Sequence, residues 1–157
     1  SFDATLAQLV VHFMADPAAG LAEMARVTHG VGVVAACVWD HAGGGSPLSL
    51  FWDAVRETDP DVHDESGLAG AREGHLAELL AAAGLRDVEA TALSVEVTHA
   101  TFDEWWEPYT LAVGPAGAYL AKLDPEQRDA VRERCRERFP EGDLTLTASA
   151  WAARGVA

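Results

Sequence analysis

Hydrophobic residues fall along this chain in three rhythms. Phe2 to Phe13 and Val31 to Trp39 are short, nearly continuous apolar runs, the pattern of strands buried on both faces of a parallel sheet. Between them Asp16-Pro17 opens a helix, Asp as cap and Pro in the first turn. Leu21, Met24 and Ala25 then recur at helical spacing ahead of Gly30. Strand, helix and strand in close succession predict a right-handed βαβ unit with parallel strands.

His41 to Pro47 reads as a loop with Gly43-Gly44-Gly45 as a flexible hinge, and Leu48 to Val55 as a short amphipathic helix. Asp59 to Gly70 is polar and turn-rich, so residues 41–70 are expected to form a mobile loop or lid. A firmer helix is predicted from Arg72 to Ala83, stopped by Gly84, and a third strand from Asp87 to Thr98 with a bulge at Ala92–Leu93. Thr101-Phe102-Asp103-Glu104 is a capping box, and Asp124-Pro125-Glu126-Gln127 is a second strong helix start. They place a helical insertion at 100–141. In Leu144 to Ala153, Leu144, Leu146, Ala148 and Ala150 alternate with Thr145, Thr147, Ser149 and Trp151, the third rhythm, which predicts a half-exposed last strand. The expected fold class is α/β in one domain, 1–157, with parallel strands, an antiparallel last strand and a helical insertion before it.

Composition narrows the function classes. The formal charge of −14 is spread along 157 residues and repels phosphate backbones and anionic lipid, so neither nucleic acid nor membrane is an expected partner. No apolar run approaches the length of a membrane span, and no signal-peptide pattern opens the chain, so a cytoplasmic location is expected. Cys37 and Cys135 are far apart and outside any Cys-x-x-Cys pair. The histidines lack ligand spacing, and no metal site is expected. No nucleophile elbow or paired-carboxylate arrangement points to hydrolysis. Ser1 leads straight into a strand pattern, as expected of a chain cut from a longer one.

Three worded segments carry a resemblance. They are Phe2-Asp3 with Gln8 through Phe13 and Asp16-Pro17; Glu23-Met24-Ala25-Arg26-Val27 before a glycine-containing turn; and Ala82-Ala83-Gly84-Leu85-Arg86-Asp87-Val88. In that order they resemble the C-terminal half of class I S-adenosylmethionine-dependent methyltransferases, specifically the quinone-biosynthesis-type small-molecule family. The resemblance spans nearly the whole chain. It departs from the family pattern at Gly30-Val31-Gly32, where the family has Pro-Gly-Gly. It also implies a Gly-rich loop and an acidic strand end that hold the cofactor, and neither is found here. The glycines of such a loop let the backbone approach the ligand, and the carboxylate accepts the ribose hydroxyls.

The resemblance thus implies S-adenosylmethionine as cofactor and a small-molecule acceptor as partner, with cofactor binding by these residues alone weak. The first strand would then pair with a missing N-terminal half or drive self-association. Open parallel sheets bind ligands beyond the C-terminal ends of their strands. That rule selects Gln8, His12 and Phe13 at one strand end and Trp39, Asp40 and His41 at the next; the resemblance implies Gln8 and Phe13 for the cofactor, and Trp39 and His41 for the substrate. His12 is the candidate catalytic base, or alternatively a cap for the following helix. Trp105, Trp106 and Tyr109 in the insertion are either packing or the wall of an acceptor pocket. A non-catalytic binding or assembly module built on the same half-sheet is the alternative, and a remnant without function a third.

Overall fold

The computed structural model describes residues 1–157. Four strands form one sheet, in the spatial order β1 (Phe2–Gln8), β2 (Thr28–Trp39), β4 (Leu144–Val156), β3 (Arg86–His99). β1 and β2 are parallel, as a strand–helix–strand succession predicts, and β4 runs antiparallel to β2. Side-chain bonds join Glu89 to Arg154, Ser94 to Ser149 and Thr98 to Thr145. Each step forward on β3 is a step back on β4, so this pair is antiparallel too. The mixed α/β sheet with its last strand reversed, and helices inserted before that strand, is the architecture read from the sequence.

The local signals act as their chemistry requires. Asp16 accepts from the Ala19 N–H at 2.9 Å and starts α1 (Pro17–Val27). Asp124 and Gln127 exchange hydrogen bonds of 2.8 and 3.1 Å and start α6 (Pro125–Arg138). Thr101 accepts from the Glu104 N–H to begin α4 (Phe102–Trp106), while the Glu104 carboxylate reaches past the cap to the Ala100 N–H. The remaining helices are α2 (Ser49–Arg56), α3 (His75–Ala82) and α5 (Gly114–Lys122). Gly84, at φ +89°, ends the turn after α3 in a conformation that favours glycine.

The chain divides into two compact units. The first comprises Ser1–Ser46, Glu65–Val95 and Ala148–Ala157. Its core lies on one sheet face, where Ala7, Val34, Ala36, Val38 and Ala153 meet Leu21 of α1 and Leu76 and Leu80 of α3. The second comprises Pro47–Asp64 and Glu96–Thr147, and its core is an aromatic cluster around Phe51, Trp105, Trp106 and Tyr109. Phe51 stacks on Tyr109 at 4.6 Å with 7° between ring planes.

Four expectations need correction. The first strand stops at Gln8 rather than Phe13, because Leu9 takes φ +57° and turns the chain into a 3-10 turn at Val11–Phe13. Nor is β1 buried on both faces. It is an edge strand whose outer face carries no helix, so Leu6 is 76 % exposed and only Ala7 is buried. Gly30 does not end a helix: α1 stops at Val27 and Gly30 lies within β2. Between Phe2↔Thr28 and Ala4↔Val33 the register slips, and this irregularity absorbs the Gly30-Val31-Gly32 stretch. A Cβ at Gly32 would lie 2.7 Å from the Asp3 carbonyl oxygen, so the close strand approach there requires glycine. Finally, the 59–70 stretch holds a 3-10 turn at Glu65–Gly67 that buries Glu65.

Candidate functional site

β1 and β2 are parallel, so their C-terminal ends lie side by side: Gln8 is in register with Cys37 and the Leu9 N–H donates to the Cys37 carbonyl at 2.9 Å. Leu9 is a branched residue in the left-handed region, where such side chains are strained. Its turn redirects the chain so that Val11 and His12 pack inward while Phe13 stays 57 % exposed. The His12 ring lies 3.9 Å from the Phe13 ring and 5.5 Å from the His41 ring, which follows β2.

His12 is buried, and its Nδ1 has no hydrogen-bond partner within the protein. Burial holds its pKa below the ordinary imidazole value, so the ring is neutral at pH 7. A buried ring nitrogen left unbonded costs about 1–3 kcal/mol. A neutral imidazole with an open nitrogen can take a proton from, or hydrogen-bond to, a molecule at the strand ends. His12 does not cap a helix: Asp16 does that work for α1.

Asp40 organises the second strand end. Its carboxylate accepts from the Gly43 N–H at 2.8 Å and from the Trp151 Nε1–H at 3.0 Å, and its carbonyl accepts from the Gly45 N–H at 2.9 Å. Ser149 and Gly45 bond across to the same turn at 2.7 Å. The Gly43-Gly44-Gly45 stretch is therefore a tied turn rather than a hinge. A Cβ at Gly43 would collide with the Asp40 carboxylate, which explains one of its glycines.

The candidates fall into two groups. Gln8, His12, Phe13, Trp39 and His41 lie at the β1 and β2 ends of the first unit. Trp105, Trp106 and Tyr109 lie in the second unit, each under 8 % exposed and packed on one another. They are core residues first, but Trp105 and Tyr109 also line a cavity of about 500 Å³, whereas Trp106 does not. Asp40, one of the strand-end residues, organises its turn through the Gly43 N–H, whereas nothing in a Leu between Gln8 and Val10 marks the left-handed turn at Leu9.

A second cavity of about 490 Å³ lies on the outer sheet face of the first unit, floored by Ala35, Cys37 and Ala152 and edged by Leu6, Leu93 and the Glu89–Arg154 pair. Cys37 is half-buried at its floor, while burial pushes the Cys135 thiol up to about 12 and leaves it inert. No three His, Cys, Asp or Glu side chains gather where they could hold a metal ion. No helix is long and apolar enough to cross a membrane.

Neither a protein-family model nor a curated protein matches the chain. Among solved structures it is similar to a Bacillus halodurans protein provisionally described as a methyltransferase, with 14 % sequence identity and a TM-score of 0.49. The match covers 99 % of this chain and 64 % of that one, so the chain spans less than two thirds of the length of its structural neighbour.

Proposed function

We propose that this chain is the acceptor-side part of an S-adenosylmethionine-dependent methyltransferase of the quinone-biosynthesis type, acting on a small organic molecule. The observation that carries the reading is His12 beside Phe13 and His41 at the ends of two parallel strands, with its Nδ1 buried and unbonded, while Gln8 ends β1. That is where an open parallel sheet binds its ligand.

The residues present fit one end of the cofactor. Gln8 offers an amide and Phe13 an exposed ring, while His12 offers an open nitrogen. The Asp40 carboxylate, by contrast, already holds the Gly43 and Trp151 N–H groups, and no Gly-rich loop leads from a strand into a helix. When bound, S-adenosylmethionine supplies a methyl group already activated on a sulfonium. The protein's part is then alignment and removal of the acceptor's proton. His12, neutral and desolvated, takes that proton; Gln8 and Phe13 hold the donor side, and Trp39 and His41 contact substrate.

Titration calorimetry with S-adenosylhomocysteine tests the incompleteness of the donor side. The expected result is no one-to-one binding heat at micromolar concentrations from a chain that is folded by circular dichroism. Clear one-to-one binding would show that these residues assemble a full donor site and would overturn that part of the reading.

The same reading makes the outer sheet face and the β1 edge the seat of a missing N-terminal half or, without it, of a second copy. Phe2 is 61 % and Leu6 76 % exposed on an edge strand, a template for pairing with another chain. Light scattering of the purified chain is expected to show association that grows with concentration. A monomer at every concentration would count against it. The alternative, a non-catalytic binding or assembly module, keeps the cavities without the transfer. It gains ground if His12→Asn leaves the activity of a complete protein untouched.

A further inference from the structure

Asp40 stands where the chain leaves β2, and both its backbone groups and its carboxylate are engaged. Its N–H donates to the Ser149 carbonyl at 2.9 Å, and its carbonyl accepts from the Gly45 N–H at 2.9 Å. One carboxylate oxygen, Oδ1, accepts from both the Gly43 N–H at 2.8 Å and the Trp151 Nε1–H at 3.0 Å. The other oxygen lies against the glycines, and a Cβ at Gly43 or Gly45 would crowd it. A single side chain thus ties the glycine turn to β4.

His41 follows directly. Its N–H donates to the Trp39 carbonyl at 2.8 Å, across Asp40, and the Ala42 N–H donates to the Ala71 carbonyl at 3.1 Å. The backbone on both sides of His41 is therefore held within the tied turn. His41 is buried, and its ring stands 5.5 Å from the His12 ring. Burial is what keeps His12 below the ordinary imidazole value. The elements packed against the His12 turn are α1 and β2. Their charged groups are engaged elsewhere: Asp16 caps α1, Glu23 holds Arg26 and Asp3 holds His29, which leaves the Cys37 thiol. His12 is tuned by what covers it, and the His41 ring is part of that cover.

We propose that Asp40 is a positioning residue: by holding the Gly43 N–H and the Trp151 indole on one oxygen, it sets the His41 ring against His12 and keeps water from that side of the strand ends. As support for a proton-accepting His12 this rests on the function proposed above; as a statement about the two rings it does not.

Nuclear magnetic resonance titration of the His12 and His41 imidazoles with pH tests it, in the parent chain, Asp40→Asn and Asp40→Ala. Losing the carboxylate has two effects of opposite sign. Removing a negative charge disfavours the imidazolium and moves the His12 midpoint down, whereas loosening the turn lets water reach the ring and moves it up. Asp40→Asn removes the charge and keeps Oδ1 as an acceptor, so its midpoint is expected at or below that of the parent. Asp40→Ala removes both, and its midpoint is expected to rise above that of the Asn variant, toward the ordinary imidazole value. An Ala midpoint at or below the Asn midpoint overturns the proposal, because a tie that serves only stability leaves His12 untouched. Where Asp40→Ala does not fold, Trp151→Phe takes its place. It removes one N–H donor with no change of charge, so a smaller upward shift is expected, and a midpoint equal to the parent's overturns the proposal. No cofactor or acceptor enters the measurement. Its failure leaves methyl transfer to be judged by the S-adenosylhomocysteine titration, and failure there leaves the placing of His41 by Asp40 intact.

Discussion

Phe51→Ala is expected to destabilise the protein by about 3–5 kcal/mol, the upper range for deleting a core side chain. Phe51 is fully buried, stacks on Tyr109 and packs edge-on against Trp52 at 5.1 Å, so truncation removes both apolar burial and two ring contacts. The space left behind is walled by the rings of Trp52, Trp106 and Tyr109. Urea unfolding followed by circular dichroism reads the effect as a fall in midpoint with an unchanged slope. A loss below about 1 kcal/mol would mean that the aromatic cluster is loosely packed and that its rings are free to serve as pocket walls rather than as core.

Leu80→Ala should cost about 2–5 kcal/mol in the first unit, for a related reason. Leu80 is fully buried on α3, in the cluster with Val34, Ala36 and Val38 of β2. The helices α1 and α3 cover this one face, and no layer on the other side of the sheet shares the load. Leu80→Met keeps the volume and is expected to cost less than about 1.5 kcal/mol. The comparison in the same unfolding assay is decisive: equal losses for Ala and Met would mean that shape at this position does not matter, and that α3 is not the cover of the sheet.

Much of the fold was legible because its signals are local. Asp16, Thr101 and Asp124 begin helices through bonds to N–H groups three residues on, so the residues that make the cap also spell it. The alternation from Leu144 is seen in the first part of β4, where Leu144, Ala148 and Ala150 are buried and Thr145 and Thr147 exposed; beyond Trp151 the buried positions change sides to Ala153 and Gly155. What failed was non-local. An apolar run says that a strand wants burial, not whether a neighbour is there to provide it. Phe2 and Leu6 therefore read as core and lie in water on an edge strand.

The candidate site divides along the same line. Gln8, Trp39 and His41 follow from a topological rule once the strands are placed. The burial of His12 does not, since it depends on the left-handed turn at Leu9, and no sequence mark announces that turn. Aromatic residues at helical spacing carry the same ambiguity. Trp105 and Trp106 are neighbours in one helix and both are buried, yet only Trp105 reaches a cavity wall. Spacing fixes the face of a helix, and what that face meets is decided by Phe51 and Val131, distant in the chain. The polar character of residues 59–70 likewise concealed a buried carboxylate, Glu65, because a lone acidic residue in a turn looks like solvent-facing sequence.

The most direct test of the account is chemical-shift mapping of the amide and imidazole signals on titration with S-adenosylhomocysteine into the millimolar range. Weak, fast-exchanging shifts are expected to concentrate at Gln8, His12 and Phe13, with His12 moving most because its buried nitrogen gains a partner. Shifts confined to other surfaces, or none at these three residues at saturating ligand, would contradict a donor site at the end of β1.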